Sequence, residues 1–368
     1  MRRSVFAIVA ALLLLGLGGG AFWWWSRREV PLSPELATPK LVLEALREVA
    51  EGTPPVHSLF FTPAAIPFLK ELPAAFVREK PEERAAAFAS AAHHPGAWRA
   101  LDRQYRFDVL WLMGDPAEYR PLLDHLRKSP DWVLTYLDPT SCLYRRRPAT
   151  AWKAGALEEM KARFEPLPVR DRVLARVHLA QRLAALDEAE AARALLDEAI
   201  ALDGDSCPAW TQLACHYGAV GRWDEALRAS TRALEEDPDY PPALAAQANA
   251  FYAFGKFNEA LRLTRRLVVA TPEAGSALYL HARVTHAARA YTEEIEVLER
   301  IIAIAEANRL PAGSWYVYLG QAYAATGGGE AAVKAFRKAL EDATLTRSER
   351  EFALKGLEWI DGPAGGAG

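Results

Sequence analysis

Residues 207–240 read CPAWTQLACHYGAVGRWDEALRASTRALEEDPDY. Trp210, Leu213, Ala214, Tyr217, Ala226, Ala233 and Pro238 fall at positions 4, 7, 8, 11, 20, 27 and 32 of this 34-residue stretch. Small residues at positions 8, 20 and 27 allow two helices to approach closely. Large apolar residues at 4, 7, 11, 17 and 24 leave a face that one unit cannot bury by itself.

Stepping back 34 residues starts a copy at Val173, with Leu179, Ala180, Leu183, Ala192, Leu196 and Ala199 in register. Stepping forward starts one at Pro241, with Leu244, Ala248, Phe251, Gly255, Phe257, Ala260, Leu267 and Pro272. A poorer copy starts at Gly275. It keeps Leu278, Ala282, Tyr291, Leu298 and Ile301 but has Glu294 at position 20, where a small residue is expected. After an insertion around Arg309–Ala312, a last copy starts near Gly313, with Leu319, Gly320, Tyr323, Gly327, Ala332, Phe336 and Ala339. Ser348–Asp361 reads as a capping helix, and Gly362–Gly368 as a disordered tail. The competing reading is a plain helical bundle, which agreement in register between copies disfavours.

These positions resemble the tetratricopeptide repeat, a helix–turn–helix that stacks into a solenoid. The resemblance implies an α-solenoid of about five units over 150–361, with copies at 173–206, 207–240, 241–274, 275–308 and 313–346 and a cap at 348–361. It also implies a protein-binding scaffold rather than an enzyme. In such repeats positions 2, 5, 9 and 12 of the first helix line the concave surface. Carried over, these give Gln181, Thr211, Asn249, Tyr252, Tyr279, Arg283, His286 and Gln321 as partner-binding residues. Tyrosine, amide and arginine suit an extended peptide or a partner helix. Some relatives clamp a C-terminal carboxylate with Lys and Asn at positions 5 and 9. Here Asn249 stands at position 9 but Ala245 at position 5, so that clamp is incomplete.

Met1-Arg2-Arg3 is followed by 22 uncharged residues, Ser4–Trp25. As a helix they span about 33 Å, enough for the hydrocarbon core of a bilayer. Trp23–Trp25 suit an interfacial aromatic belt, with Arg27 and Arg28 beyond. Residues 1–28 are therefore expected to be a single-pass transmembrane anchor in the cytoplasmic (inner) membrane, with the rest extracytoplasmic, periplasmic in a Gram-negative cell. The rival reading is a cleaved signal peptide, with Gly18–Ala21 as peptidase residues.

Residues 29–55 read as a proline-rich stalk with one amphipathic helix at Lys40–Glu51. Residues 56–149 read as a small α/β domain: strands at Val56–Phe61 and Phe107–Met113, and helices at Pro81–Ala92, Ala97–Tyr105 and Ala117–Lys128. A hairpin of Trp132–Leu137 and Cys142–Arg145 follows. Asp115 is expected to cap the third helix, with Tyr119, Leu122, Leu123 and Leu126 facing inward. Phe107-Asp108, Trp132, Tyr136, Asp138 and Leu143–Arg147 resemble the soluble extracytoplasmic tail of some polytopic membrane glycosyltransferases. That likeness implies an envelope setting and carries no catalytic residue.

The net charge of −3 and the lack of a basic stripe exclude a nucleic-acid surface. Three cysteines exclude a disulfide framework. Asp108, Asp115 and Asp138 near strand ends and His93-His94 are the chemically capable groups. Cap, turn and loop roles account for Asp115, Asp138 and the two histidines, and Arg145–Arg147 read as a solvated strand end. No catalytic residue, metal site or cofactor is expected. The expected fold is mainly α: anchor, small α/β domain, then repeats that recruit envelope proteins. The alternatives are an enzyme or accessory factor acting on envelope glycan or lipid-linked sugar, and a homo-oligomer held by the repeats.

Overall fold

The computed structural model describes residues 40–51, 59–62, 64–65, 91, 95–147, 149–152, 155–307 and 310–361. The apolar segment Ser4–Trp25, most of the stalk, His93-His94, Gly362–Gly368 and all but Ala91 of the helix expected at Pro81–Ala92 lie outside these residues. Among the described residues no helix is long and apolar enough to cross a membrane. The chain forms two compact units, one within residues 28–220 and one within 221–368. The division falls at the turn of the second repeat copy.

In the first unit, β2 (Val109–Met113, VLWLM) is apolar and buried at every position, as befits a strand covered on both faces. It is central in a four-stranded sheet of order β1-β2-β4-β3. β1 (Leu59–Phe61) pairs with it in parallel, and β4 (Ser141–Arg146) antiparallel. β3 (Trp132–Leu137) pairs antiparallel with β4, with an irregularity between Leu134 and Tyr136. Asp138 makes the β3–β4 turn: its Oδ1 accepts from the Thr140 and Ser141 backbone N–H groups, both at 2.7 Å.

Helix α1 (Lys40–Glu51), read from sequence as part of a stalk, packs against β4 with Val42, Leu43 and Leu46 buried. Helix α2 (Pro95–Tyr105) lies in the chain between the parallel strands. Its Trp98 joins Phe60, Phe107 and Trp132 in an aromatic cluster with ring centroids 5.1–6.0 Å apart. Burial of such rings is among the largest single contributions to a core.

The helix expected over Ala117–Lys128 is two pieces. A 3-10 turn, Pro116–Tyr119, is capped by Asp115, whose Oδ1 accepts from the Ala117 N–H at 2.7 Å. Helix α3 (Arg120–Lys128) follows. Pro121 has no N–H to give the Ala117 carbonyl, so the Arg120 N–H takes it in a 3-10 bond. Tyr119, Leu122, Leu123 and Leu126 are buried as expected. Helices α4 (Gly155–Phe164), α5 (Val169–Ala185), α6 (Ala189–Leu202) and α7 (Cys207–Ala219) complete the unit, and α5 packs on the 3-10 turn.

The second unit is a run of eight helices, each packed on the next: α8 (Trp223–Glu236), α9 (Pro241–Ala253), α10 (Phe257–Ala270), α11 (Gly275–Ala287), α12 (Tyr291–Ala307), α13 (Gly313–Ala325), α14 (Gly329–Leu340) and α15 (Arg347–Asp361). The first helices of four copies begin at 207, 241, 275 and 313, where the register places them; that of the first copy begins at Val169. The backbone marks the repeat independently of the side chains. Position 15 of every copy has positive φ: Asp187 65°, Gly221 76°, Gly255 70°, Arg289 55° and Gly327 78°. This is the left-handed residue that reverses the chain between paired helices. Position 20 is buried in all five, as Ala192, Ala226, Ala260, Glu294 and Ala332. The last helix, α15, covers the stretch read as a cap and leaves Phe352, Leu354 and Trp359 exposed.

Candidate functional site

The first helices of the last three copies are α9 (PPALAAQANAFYA), α11 (GSALYLHARVTHA) and α13 (GSWYVYLGQAYAA). They contain no Asp or Glu, and Arg283 is their sole Lys or Arg. Position 9 of the fourth copy puts Arg283 beside position 5 of the same helix and position 12 of the preceding one. Its guanidinium carbon lies 4.7 Å from the Tyr252 ring centroid and 5.7 Å from that of Tyr279. Tyr279 packs edge-on against Trp315 at 5.8 Å, and Trp315 lies 6.4 Å from Tyr318. Tyr318 in turn is edge-on to His286 at 6.1 Å. Trp315 is only 7% exposed and belongs to the core, so the rings that reach the surface are Tyr252, Tyr279 and Tyr318, across three helices, with a cation set among them.

His286 Nδ1 is 2.9 Å from Glu294 Oε1. Glu294 is only 1% exposed, and its Oε2 has no hydrogen-bond partner. Burial raises its pKa above the ordinary carboxylate value, and His286 partly opposes this. Asn249 and Gln321 are half-buried on α9 and α13, with no side-chain partner among the described residues. The structure thus brings Tyr252, Tyr279, Arg283 and His286 together.

The two remaining expected residues belong to the first unit. Gln181 is half-buried, donating to Gln212 Oε1 at 3.0 Å and lying 3.2 Å from His178 Nδ1. Thr211, expected on an open face, is 3% exposed with an unpartnered hydroxyl. Its helix turns that position into packing, so it is not presented to a ligand. Sequence reasoning missed Trp315 and Tyr318, at positions 3 and 6 of the last copy. The signal available was the aromatic density of GSWYVY, masked by projecting only four positions.

A second polar cluster, also missed, lies along the second helices. His281 is buried between the Thr264 hydroxyl at 2.9 Å and Glu293 at 3.0 Å, and Glu293 accepts from both Nε and Nη2 of Arg265. Burial, the largest influence, lowers the His281 pKa despite Glu293. These groups satisfy one another and leave nothing aimed outward.

In the first unit, Arg182 of α5 is buried, donating to the Tyr119 hydroxyl and the Gly114 carbonyl, both at 2.8 Å. Burial beside Asp115 pushes Glu118 up to about 8. Asp115 and Asp138 hold turns, and Arg146 is bonded to Asp102 at 2.6 Å and stacked 4.6 Å over Trp132. The strand-end arginine is therefore a structural tie rather than a solvated end. Among the described residues, no group of three His, Cys, Asp or Glu side chains is placed to hold a metal ion.

Residues 219–284 match the tetratricopeptide repeat family model. No curated protein matches the chain in sequence. Solved structures similar to it include YrrB, titled a TPR protein with an unusual peptide-binding site, at 19% identity over 55% of this chain and 97% of that one, TM-score 0.43. MamA is 19% identical over 48% of this chain and 97% of its own, TM-score 0.40. PilF of Pseudomonas aeruginosa is 14% identical over 52% of this chain and 92% of its own, TM-score 0.42. At these identities and TM-scores, nothing about function passes from these proteins to this one.

Proposed function

We propose that this chain is a protein-interaction scaffold, tethered to the cytoplasmic membrane through residues 4–25, that holds a partner protein's peptide segment along its repeat helices. The observation that carries the reading is the strip from Tyr252 through Arg283 and Tyr279 to Tyr318, seated on the buried Trp315. Rigid aromatic surface with a fixed guanidinium is the composition that dominates binding energy at protein interfaces. Among the described residues, no side-chain hydrogen bond or ion pair occupies Tyr252, Tyr279, Arg283 or Tyr318, while His286 beside Tyr318 is held by Glu294. Tethering raises the local concentration of whatever the strip binds at the membrane face. An extracytoplasmic placement follows from the short basic N-terminus before the apolar segment and makes envelope proteins the partners.

The test is crosslinking of the tagged full chain in its native membrane, followed by identification of what co-purifies. The control carries Asn249→Ala, Tyr279→Ala and Arg283→Ala together. A discrete set of proteins lost in the control supports the reading. The same set persisting in the control overturns it.

A further inference from the structure

Arg283 is the one Lys or Arg on the strip's helices, and the acids near the strip, Glu294 and Glu349, stand by its Tyr318 end. We infer that the segment the strip binds is extended and acidic, and that an internal Asp or Glu side chain seats its carboxylate on Arg283 between Tyr252 and Tyr279. This rests on the strip being a peptide-binding surface.

Several arginines of this unit are paired, Arg265 with Glu293, Arg266 with Asp239, Arg232 with Glu236 and Arg347 with Glu351, whereas Arg262, Arg289 and Arg337, like Arg283, have no carboxylate partner among the described residues. Arg283 has no carboxylate or hydrogen-bond partner among the described residues; it has two tyrosine rings. With no hydrogen-bond partner among the described residues, the Arg283 N–H donors are available, and a guanidinium's donors match a carboxylate in bidentate fashion. The stack also pre-orders a long side chain, so less entropy is lost on binding. No acid stands on α9, α11 or α13, and the acids that reach the strip from other helices, Glu294 and Glu349, act on Tyr318 rather than on Arg283.

An internal acid fits better than a chain terminus. Aromatic surface extends on both sides of Arg283, to Tyr252 on α9 and past Tyr279 to the exposed Tyr318 on α13. A segment that uses both sides must continue past the carboxylate in both directions. A terminal carboxylate would leave one side empty. These helices also offer no second Lys or Arg for a terminus that carries an acidic side chain as well.

The test uses the full chain in detergent micelles and four pools of N-acetylated nonapeptides with degenerate flanks. Three pools are C-amidated with Glu, Gln or Lys at the centre. The fourth has central Gln and a free C-terminal carboxylate. The expected result is that the Glu pool binds roughly tenfold or more tighter than the Gln pool, weakens with added salt, and that the Lys pool binds least. Arg283→Gln removes the Glu-over-Gln preference, so that the Glu pool binds no tighter than the Gln pool. Arg283→Lys, which keeps the charge, retains part of the preference, and unchanged melting temperatures show that both variants fold. Equal binding of Glu and Gln pools, a preference that survives Arg283→Gln, or a free-carboxylate pool that outbinds the Glu pool overturns the inference and leaves the scaffold reading standing. No binding by any pool overturns both.

Discussion

Glu294 Oε1 lies 2.9 Å from His286 Nδ1, and this contact explains the break in pattern at position 20 of the fourth repeat. The other copies put alanine at position 20. Here a carboxylate fills the site, one oxygen held by His286 and the other buried without a partner. A half-satisfied buried carboxylate destabilises the fold relative to a neutral isostere.

The pH dependence follows from its raised pKa. The unfolded chain gives up the Glu294 proton near 4.5, and the folded chain holds it to higher pH. Above 4.5 the unfolded state binds fewer protons, so this group's contribution falls as pH rises through the folded pKa. Glu294→Gln keeps an acceptor for His286 and removes the charge. Its stability, measured by chemical denaturation, is expected to match the parent near pH 4 and exceed it by about 1 kcal/mol near pH 7. A parent that is more stable at both pH values refutes this.

The same copy carries the strained turn. Arg289 holds φ 55° where three copies use glycine. A left-handed conformation costs a non-glycine residue about 1 kcal/mol. Arg289→Gly relieves that strain but adds freedom to the unfolded chain. The expected net gain is about 0.5 kcal/mol, and Gly255→Ala is expected to lose about 1 kcal/mol. Denaturant midpoints at unchanged m-value check both.

Phe336 lies between two glycines. A Cβ on Gly320 would meet its ring at 2.7 Å, and one on Gly356 at 2.6 Å. Phe336 is 2% exposed in the terminal core cluster, so its ring cannot swing away. Gly320→Ala is expected to destabilise by about 2 kcal/mol. Phe336→Leu alone loses packing, but the pair together costs less than the sum, a coupling a double-mutant cycle detects. Strict additivity would show that the ring has room.

Arg182 ties the first repeat to the sheet layer through the Tyr119 hydroxyl. Tyr119→Phe leaves a buried guanidinium nitrogen unpaired and is expected to cost about 2 kcal/mol. Arg182→Ala also opens a cavity and strands the Gly114 carbonyl, for about 3 kcal/mol. If α5 and the sheet layer unfold as one, both variants lower a single transition. Two separate transitions in the parent would contradict that tie.

Local chemistry determined the repeat. Its 34-residue period, the left-handed turn at Gly221, Gly255 and Gly327, the small residues at positions 8 and 20 and the hairpin around Asp138 all depend on neighbours close in the chain. Each was legible in the residues. Tertiary structure decided what depends on distant pairs. Val42, Leu43 and Leu46 gave an amphipathic helix but not the strand it covers. Thr211 had a surface-type residue at a surface-type position and was buried all the same. Glu294 read as a blemish until His286 was beside it. The strip needed three helices in register before Arg283 met Tyr252 and Trp315 met Tyr279. Periodicity fixes which face a residue takes on its own helix; only packing sets which side chain from another helix stands opposite.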